Sequence, residues 1–111
     1  MGKAWKDFER RCCRALGAER RGPEGGSDDD GTAPFAVECK RTTRYQLRGA
    51  WVEQARRQGR ATGRPWLLVI GQHHDRRPIA VVDFQVFVQL CYEAGRIEAA
   101  DVMATARGPL E

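Results

Sequence analysis

The sequence predicts an α/β fold in which helices pack on a mixed central β-sheet. Three observations lead to this class: an amphipathic stripe over residues 3–16, a strand-like alternation over residues 35–40, and an unbroken apolar run over residues 66–70. Helical and strand patterns that alternate along one chain are typical of sheets with helices on their faces. With 111 residues, of which 41% are hydrophobic, the chain has material for one modest core.

The first half of the chain begins with a helix that is predicted to stop at Gly17. Trp5, Phe8 and Cys12 share one face of residues 3–16 when successive side chains turn by about 100°. A glycine after a helix suits the left-handed stop position. Residues 19–21 are predicted as a short strand before a glycine-rich loop, and residues 35–40 as a half-buried strand.

The second half repeats the helix-then-strand order. A second helix is predicted over residues 45–58, a strand covered on both faces over 66–70, a polar turn over 71–78 and a further strand over 79–82. Asp83 is predicted to cap a last helix that runs to residue 94 and stops at Gly95. These signals predict a single domain over residues 1–95 and a C-terminal tail, partly disordered, over residues 96–111.

Charge is concentrated in one stretch of the chain. The formal net charge is +4, but residues 40–64 carry eight basic side chains against a single acid, Glu53. Such a focused basic patch favours a polyanionic partner such as nucleic acid. The alternative is a solvated helix face in an arginine-rich chain.

Neither the apolar runs nor the cysteines indicate a membrane or secreted protein. No run approaches the roughly 18 apolar residues that span a bilayer, and the N-terminus lacks the apolar core of a signal peptide. The four cysteines show no CxxC spacing, which favours reduced, partly buried thiols. We therefore expect a cytoplasmic protein without membrane contacts, in the host cytoplasm if a phage encodes it.

Glu38 and Lys40 are the sharpest chemical signal. Residues two apart on a strand point the same way, so this carboxylate and this ammonium project together. Phosphodiester hydrolysis uses such a pair, with the carboxylate binding a hard divalent cation and the lysine stabilising an oxyanion or orienting water. The alternative is an ordinary exposed ion pair, which contributes little.

Two further acidic features lie near this pair in the sequence or on the first helix. Three aspartates at 28–30 precede Glu38, and a reversal through residues 31–34 would bring one of them beside it. Glu9 falls within the apolar stripe of the first helix, where a buried charge needs a partner such as a metal site or the basic patch. The alternatives are a solvated acidic loop and a narrow apolar stripe.

Glu9, an aspartate of the acidic run and Glu38-Cys39-Lys40 within PFAVECK together resemble the PD-(D/E)xK nuclease superfamily. Within that superfamily, the opening WKDFERRCCRALGAERR resembles the archaeal-type Holliday junction resolvases and their small phage-encoded relatives. The resemblance covers roughly residues 2–84. It implies a restriction-endonuclease-like core, dependence on Mg²⁺ or Mn²⁺, a homodimer, and paired nicks at four-way DNA junctions.

The resemblance also implies roles for particular residues. Asp30 and Glu38 would be the metal ligands, Lys40 the catalytic lysine, and Glu9 the helix carboxylate. Gln54 matches a glutamine often found on the following helix. Family members often have an apolar residue after the aspartate, where this chain has Gly31, so Asp29 is an almost equal candidate for the ligand.

DNA binding is assigned to the basic residues. The expected DNA contacts are made by Arg10, Arg41, Arg44, Arg48, Arg56 and Arg57. Two other functions stay open at this point: a DNA-binding module of nuclease fold that does not cleave, and another nuclease of the superfamily that acts on branched or duplex DNA. The dimer contact is expected to involve the last helix, at residues 83–94.

Overall fold

The computed structural model describes residues 2–22, 26–44, 46–72 and 77–106. Within them the elements are α1 (Gly2–Ala15), β1 (Ala36–Thr42), α2 (Gly49–Thr62), β2 (Trp66–Gln72), β3 (Ile79–Val82), α3 (Phe84–Glu93) and α4 (Ala99–Ala106). The predicted α/β class is therefore confirmed. The chain divides into two compact units, Met1–Val81 and Val82–Glu111.

The described sheet has the strand order β1-β2-β3, so that β1 is an edge strand. β1 and β2 run parallel, with Glu38 opposite Leu68 and Lys40 opposite Ile70. Parallel neighbours need a crossover connection, and α2 supplies it between them. In-register residues of parallel strands point to the same face, so Glu38 and Lys40 share a face with Leu68 and Ile70.

That face carries one cluster of the apolar core. Ala55 of α2 and the strand residues Leu68 and Ile70 are fully buried together. The partly buried side chains packed against them are Trp51, Val52, Trp66 and Val81. Glu38 thus lies beside an apolar cluster, and this burial affects the pKa of its carboxyl group.

Helix α1 is associated with the opposite face of the sheet. The Phe8 ring lies so close to Gly71 that a Cβ at position 71 would be 2.6 Å from Phe8 Cζ. Cys12 and Cys13 of α1 and Cys39 of β1 are free, buried thiols, as the cysteine spacing predicts. Gly17 after α1 has φ +77°, the left-handed conformation expected there.

Several predicted boundaries differ from the structure. The strand predicted over residues 19–21 is wrong, because the described chain forms only an isolated antiparallel bridge between Arg20 and Asp29 there. Helix α2 begins at Gly49, and the predicted starting residue Tyr45 lies outside the described residues. His73 and His74 of the predicted polar turn also lie outside them. Asp83 caps α3 as predicted, since its Oδ1 accepts from the Gln85 and Val86 amides at 2.9 and 3.4 Å.

The second unit consists of α3 and α4, and α4 occupies part of the segment predicted as a tail. Val88 is the one buried residue of α3 among those described. The exposed large apolar side chains of this unit are Phe84, Phe87, Leu90, Tyr92 and Met103. Among the described helices, none combines the length and apolar character needed to cross a membrane.

Candidate active site

Glu38 and Lys40 lie on strand β1 and point to the same face, as the two-residue repeat of a strand predicts. Glu38 is only 2% exposed, and Lys40, two residues on, is half-buried. Glu38 Oε1 is buried and has no hydrogen-bond partner among the described residues. A carboxylate oxygen in this state is costly unless something else satisfies it.

Asp28 brings a second carboxylate to the free edge of β1. Its backbone amide donates to the Val37 carbonyl at 2.7 Å, and its side-chain Oδ2 accepts from the Cys39 amide at 2.7 Å. The Cys13 thiol of α1 donates to the Asp28 carbonyl at 3.7 Å. These three bonds fix Asp28 between α1 and the strand that carries Glu38 and Lys40.

Glu9 enters from α1 and is 7% exposed. The partner that its burial demands is Arg20, whose Nε donates to Glu9 Oε1 at 2.6 Å. The Arg20 guanidinium also lies 5.3 Å from the centroid of the Trp5 ring. A cavity of about 340 Å³ opens here, and its lining is Trp5, Lys6, Glu9, Arg20, Gly22 and Asp28.

The electrostatics of these carboxylates reflect burial and mutual repulsion. Burial, and after it the Asp28 charge, raise the pKa of Glu38 to about 7, against the opposing effect of the Lys40 charge. Burial likewise raises the pKa of Asp28 to about 6, against the hydrogen bond from the Cys39 amide. Glu9 also acts on both carboxyl groups. Glu9, Asp28, Glu38 and Lys40 therefore form one interacting group of charges, which we call the carboxylate cluster.

The other two aspartates of the acidic run have different roles. Asp29 is fully buried, accepts from the Val37 and Gly31 amides and pairs with Arg64 at 2.7 Å. These bonds hold the pKa of Asp29 below its ordinary value, although burial alone would raise it. Asp29 thus stabilises the fold.

Asp30 is corrected as the expected metal ligand, because the structure does not bring it to Glu38. Its exposed side chain accepts from the Thr32 amide at 3.0 Å and from the Thr32 hydroxyl at 2.5 Å. Those bonds lower the pKa of Asp30. An aspartate that bonds the backbone two residues on, followed here by Gly31, is a common turn arrangement. Asp28, and not Asp30, makes the hydrogen bonds to β1 beside Glu38.

Arg64 is a structural residue that sequence reasoning counted within the basic stretch. Its Nη1 donates to Asp29 Oδ2, to the Ala33 carbonyl and to the Phe35 carbonyl at 2.7, 2.9 and 2.7 Å. Its Nη2 donates to Ser27 Oγ at 3.4 Å. No local pattern identifies this role, because the partners are about 30 residues away in the chain.

The remaining expected site residues lie on α1, on α2 and near the end of β1. Gln54 is half-buried on α2, next to Ala55 of the core. Arg10 is exposed and paired with Asp7 at 2.7 Å. Arg41 is half-buried, and Arg44, Arg48, Arg56 and Arg57 are exposed.

Two of these arginines stack on tryptophans. The Arg48 guanidinium lies 5.3 Å from the Trp51 ring centroid, and that of Arg56 lies 6.0 Å from the Trp66 centroid. Arg56 also pairs with Glu53 at 3.0 Å.

The donor set of the cluster fits a hard divalent cation. No group of three or more His, Cys, Asp or Glu side chains is arranged to hold a metal ion in the described part of the chain. Mg²⁺, however, is usually held by one or two carboxylates together with water and substrate phosphates. Asp28 and Glu38 provide two carboxylates, and Glu38 provides an unsatisfied buried oxygen.

Comparison of the chain with protein-family models, with curated proteins and with solved structures finds no match. A function for this chain is therefore argued from the geometry and electrostatics of the carboxylate cluster.

Proposed function

We propose that this chain is a Mg²⁺- or Mn²⁺-dependent DNA endonuclease with a restriction-endonuclease-like core, and that it resolves four-way junctions. One observation carries the proposal. Two carboxylates with raised pKa values, Asp28 and Glu38, interact beside Lys40, and one Glu38 oxygen lacks a partner. A purely structural ion pair has no need of a second buried carboxylate.

Each residue of the cluster has a task in this chemistry. Asp28 and Glu38 would hold the cation, which when bound neutralises phosphate charge and lowers the pKa of an attacking water. Lys40, on the same face as Glu38, would donate a hydrogen bond to a phosphate oxygen as negative charge develops there. Glu9, neutralised by Arg20, adds a hydrogen-bond acceptor at the mouth of the site.

Substrate DNA would be held by the exposed arginines. Arg44, Arg48 and Arg57 are exposed, and arginine donates to phosphate oxygens in a bidentate way. The ion pair with Glu53 makes Arg56 a weaker contributor. Gln54 is kept as a candidate for orienting water or phosphate.

A second copy of the chain would complete the resolvase. The described residues of one chain form one carboxylate cluster, whereas a junction must be nicked in two strands, and a two-fold dimer presents two identical sites. The exposed apolar residues of α3, such as Phe84 and Phe87, are the proposed contact. Sedimentation at micromolar concentration tests this, and a mass of one chain on junction DNA, together with paired nicks, would exclude it.

The deciding experiment is cleavage of a four-way junction, a flap and a linear duplex of matched sequence with Mg²⁺. Asp28→Asn, Glu38→Ala and Lys40→Ala should each lower cleavage by at least about 100-fold while junction binding survives. Asp30→Asn is the matched control two residues from Asp28, and it should cleave like the wild type.

Loss of binding in parallel with loss of cleavage would mean that these residues contact DNA without doing chemistry. Tight, Mg²⁺-independent binding without any cleavage would leave only the binding-module function. Equal cleavage of junction and duplex would retain the nuclease and remove the resolvase.

A further inference from the structure

Trp5 and Arg20 line the same cavity as Glu9 and Asp28. Trp5 remains 43% exposed, although burying an indole would be favourable. Its ring is held by the Arg20 guanidinium at 5.3 Å, and that guanidinium is itself held by Glu9 at 2.6 Å. An exposed aromatic ring is thus connected through Arg20 to Glu9 of the carboxylate cluster.

The spacing along α1 is close to two nucleotide steps. Trp5 and Glu9 are four residues apart and lie on the same helix face, about 6 Å along the axis. Stacked nucleotides follow one another at about 3.4 Å along a strand. A base that lies on Trp5 would belong to a nucleotide about two steps from a phosphate held beside Glu9 of the cluster.

The cavity has the size and charge for such a group. Its volume of about 340 Å³ falls within the range of about 300–1,000 Å³ typical of small-ligand sites. Lys6 and Arg20, two cations, line it together with the aromatic ring and the carboxylates. Aromatic rings next to cations are the arrangement by which proteins hold single strands without sequence preference.

We propose that Trp5 is a stacking platform for an unpaired base close to the phosphate that the cluster holds. This inference rests on the proposed nuclease function and names its substrate class, which is DNA with an unstacked nucleotide at the point of attack. In a continuous duplex the bases are paired and stacked on one another, so none is free to lie on Trp5. The ring thereby favours single-stranded DNA, or a junction whose pairing opens at the point of strand exchange, over plain duplex.

The test measures binding without cleavage, in EDTA, by fluorescence anisotropy of labelled DNA. The probes are a 20-nucleotide single strand, a four-way junction and a matched duplex. Trp5→Ala should weaken single-strand and junction binding by about 5- to 150-fold and duplex binding by less than about twofold. Trp5→Phe keeps an aromatic face and should retain most of the affinity. Ile79→Ala removes a side chain of equal exposure, 43%, and should change none of the three.

Equal losses on all three DNAs, or no loss on any, would overturn the proposal. It would equally be overturned if Trp5→Ala changed only the mass of the chain in light scattering, since the ring would then belong to a protein interface.

A cleavage assay with the wild type and Trp5→Ala distinguishes failure of the stacking platform from failure of the proposed nuclease function. If Trp5→Ala cleaves with the same preference for junction over duplex as the wild type, the stacking platform is contradicted and the nuclease function is supported. If the chain binds single strands selectively through Trp5 but never cleaves DNA, the stacking platform is supported and the nuclease function is contradicted.

Discussion

At the scale of single residues, Glu38 is held in a position that opposes its own ionisation. It shares a face of the sheet with Leu68 and Ile70 and its Oε1 has no partner among the described residues. Burial raises its pKa from 4.5 to about 7. Since the folded state binds this proton more tightly than the unfolded state, the full stabilising effect is present below pH 4.5 and is lost as pH rises through about 7.

Glu38→Gln should therefore stabilise the protein in neutral and alkaline solution. We expect a gain of about 1 to 2 kcal/mol at pH 8, after allowance for solvent screening, and no gain at pH 4. Urea unfolding at the two pH values measures it. Asp30→Asn provides a control of opposite sign, because the pKa of Asp30 is lowered by Thr32 and its charged form contributes stability above its unfolded pKa. A variant Glu38→Gln that is less stable than the wild type at pH 8 would show that the carboxylate is satisfied in solution.

At the scale of elements, Arg64 holds the segment before β1 against the strand. One guanidinium donates to Asp29, Ala33 and Phe35 at distances of 2.7 to 2.9 Å. Asp29, one of its partners, is fully buried. Removal of one partner from a buried ion pair leaves an uncompensated charge, which costs about 3 to 5 kcal/mol.

Arg64→Ala should thus lower the free energy of unfolding by about 3 to 5 kcal/mol in urea titrations. Arg60→Ala, an exposed arginine on α2, should lower it by at most about 1 kcal/mol. In the double variant Asp29→Asn/Arg64→Ala, part of the loss should be recovered because the buried charge is gone. If the double variant were less stable than Arg64→Ala, hydrogen bonding by Asp29 would matter more than its charge.

The approach of α1 to the sheet depends on Gly71. A Cβ at this position would lie 2.6 and 2.7 Å from two atoms of the Phe8 ring, and Phe8 is 4% exposed. Gly71→Ala should therefore cost about 1 to 3 kcal/mol through overpacking, as measured by thermal or urea unfolding. Gly49→Ala is the matched control, because nothing lies within 4 Å of its Cβ position, and it should be neutral or slightly stabilising.

The elements that sequence reasoning found are those whose signal is local. β1 follows from alternation, β2 from its apolar run, and the start of α3 from the Asp83 cap. The identity of the second carboxylate is not local, because Asp28 is selected by bonds to Cys39 and Val37, about ten residues later. Three adjacent aspartates are chemically alike in sequence, and only their different partners in the fold separate them.

At the scale of the whole molecule, the basic charge lies largely at exposed positions in residues 40–64, while Glu9 and Glu38 of the carboxylate cluster are buried. Binding to DNA should depend steeply on salt, since each phosphate contact releases counterions and adds about 0.9 to the slope of log K against log salt. Arg57→Ala should reduce that slope by about 0.9, and Arg56→Ala by less, because Glu53 already pairs with Arg56. Arg96, exposed and outside the basic stretch, is the control whose removal leaves the slope unchanged. A slope that no arginine variant alters would take the basic stretch out of DNA binding.

The buried thiols between α1 and β1 can report how often these two elements separate in the native protein. Cys12, Cys13 and Cys39 are at most 9% exposed, and burial raises the pKa of Cys13 to about 12. Thiol-modifying reagents attack exposed thiolates, so the fully buried Cys13 should react only when α1 moves away from β1, whereas Cys12 lines a cavity of about 400 Å³ and should react sooner. Cys91 of α3 is half-buried in the other unit and serves as an internal reference. The modification rates of the four cysteines therefore provide a clock, without any added label, for how often each unit opens under native conditions.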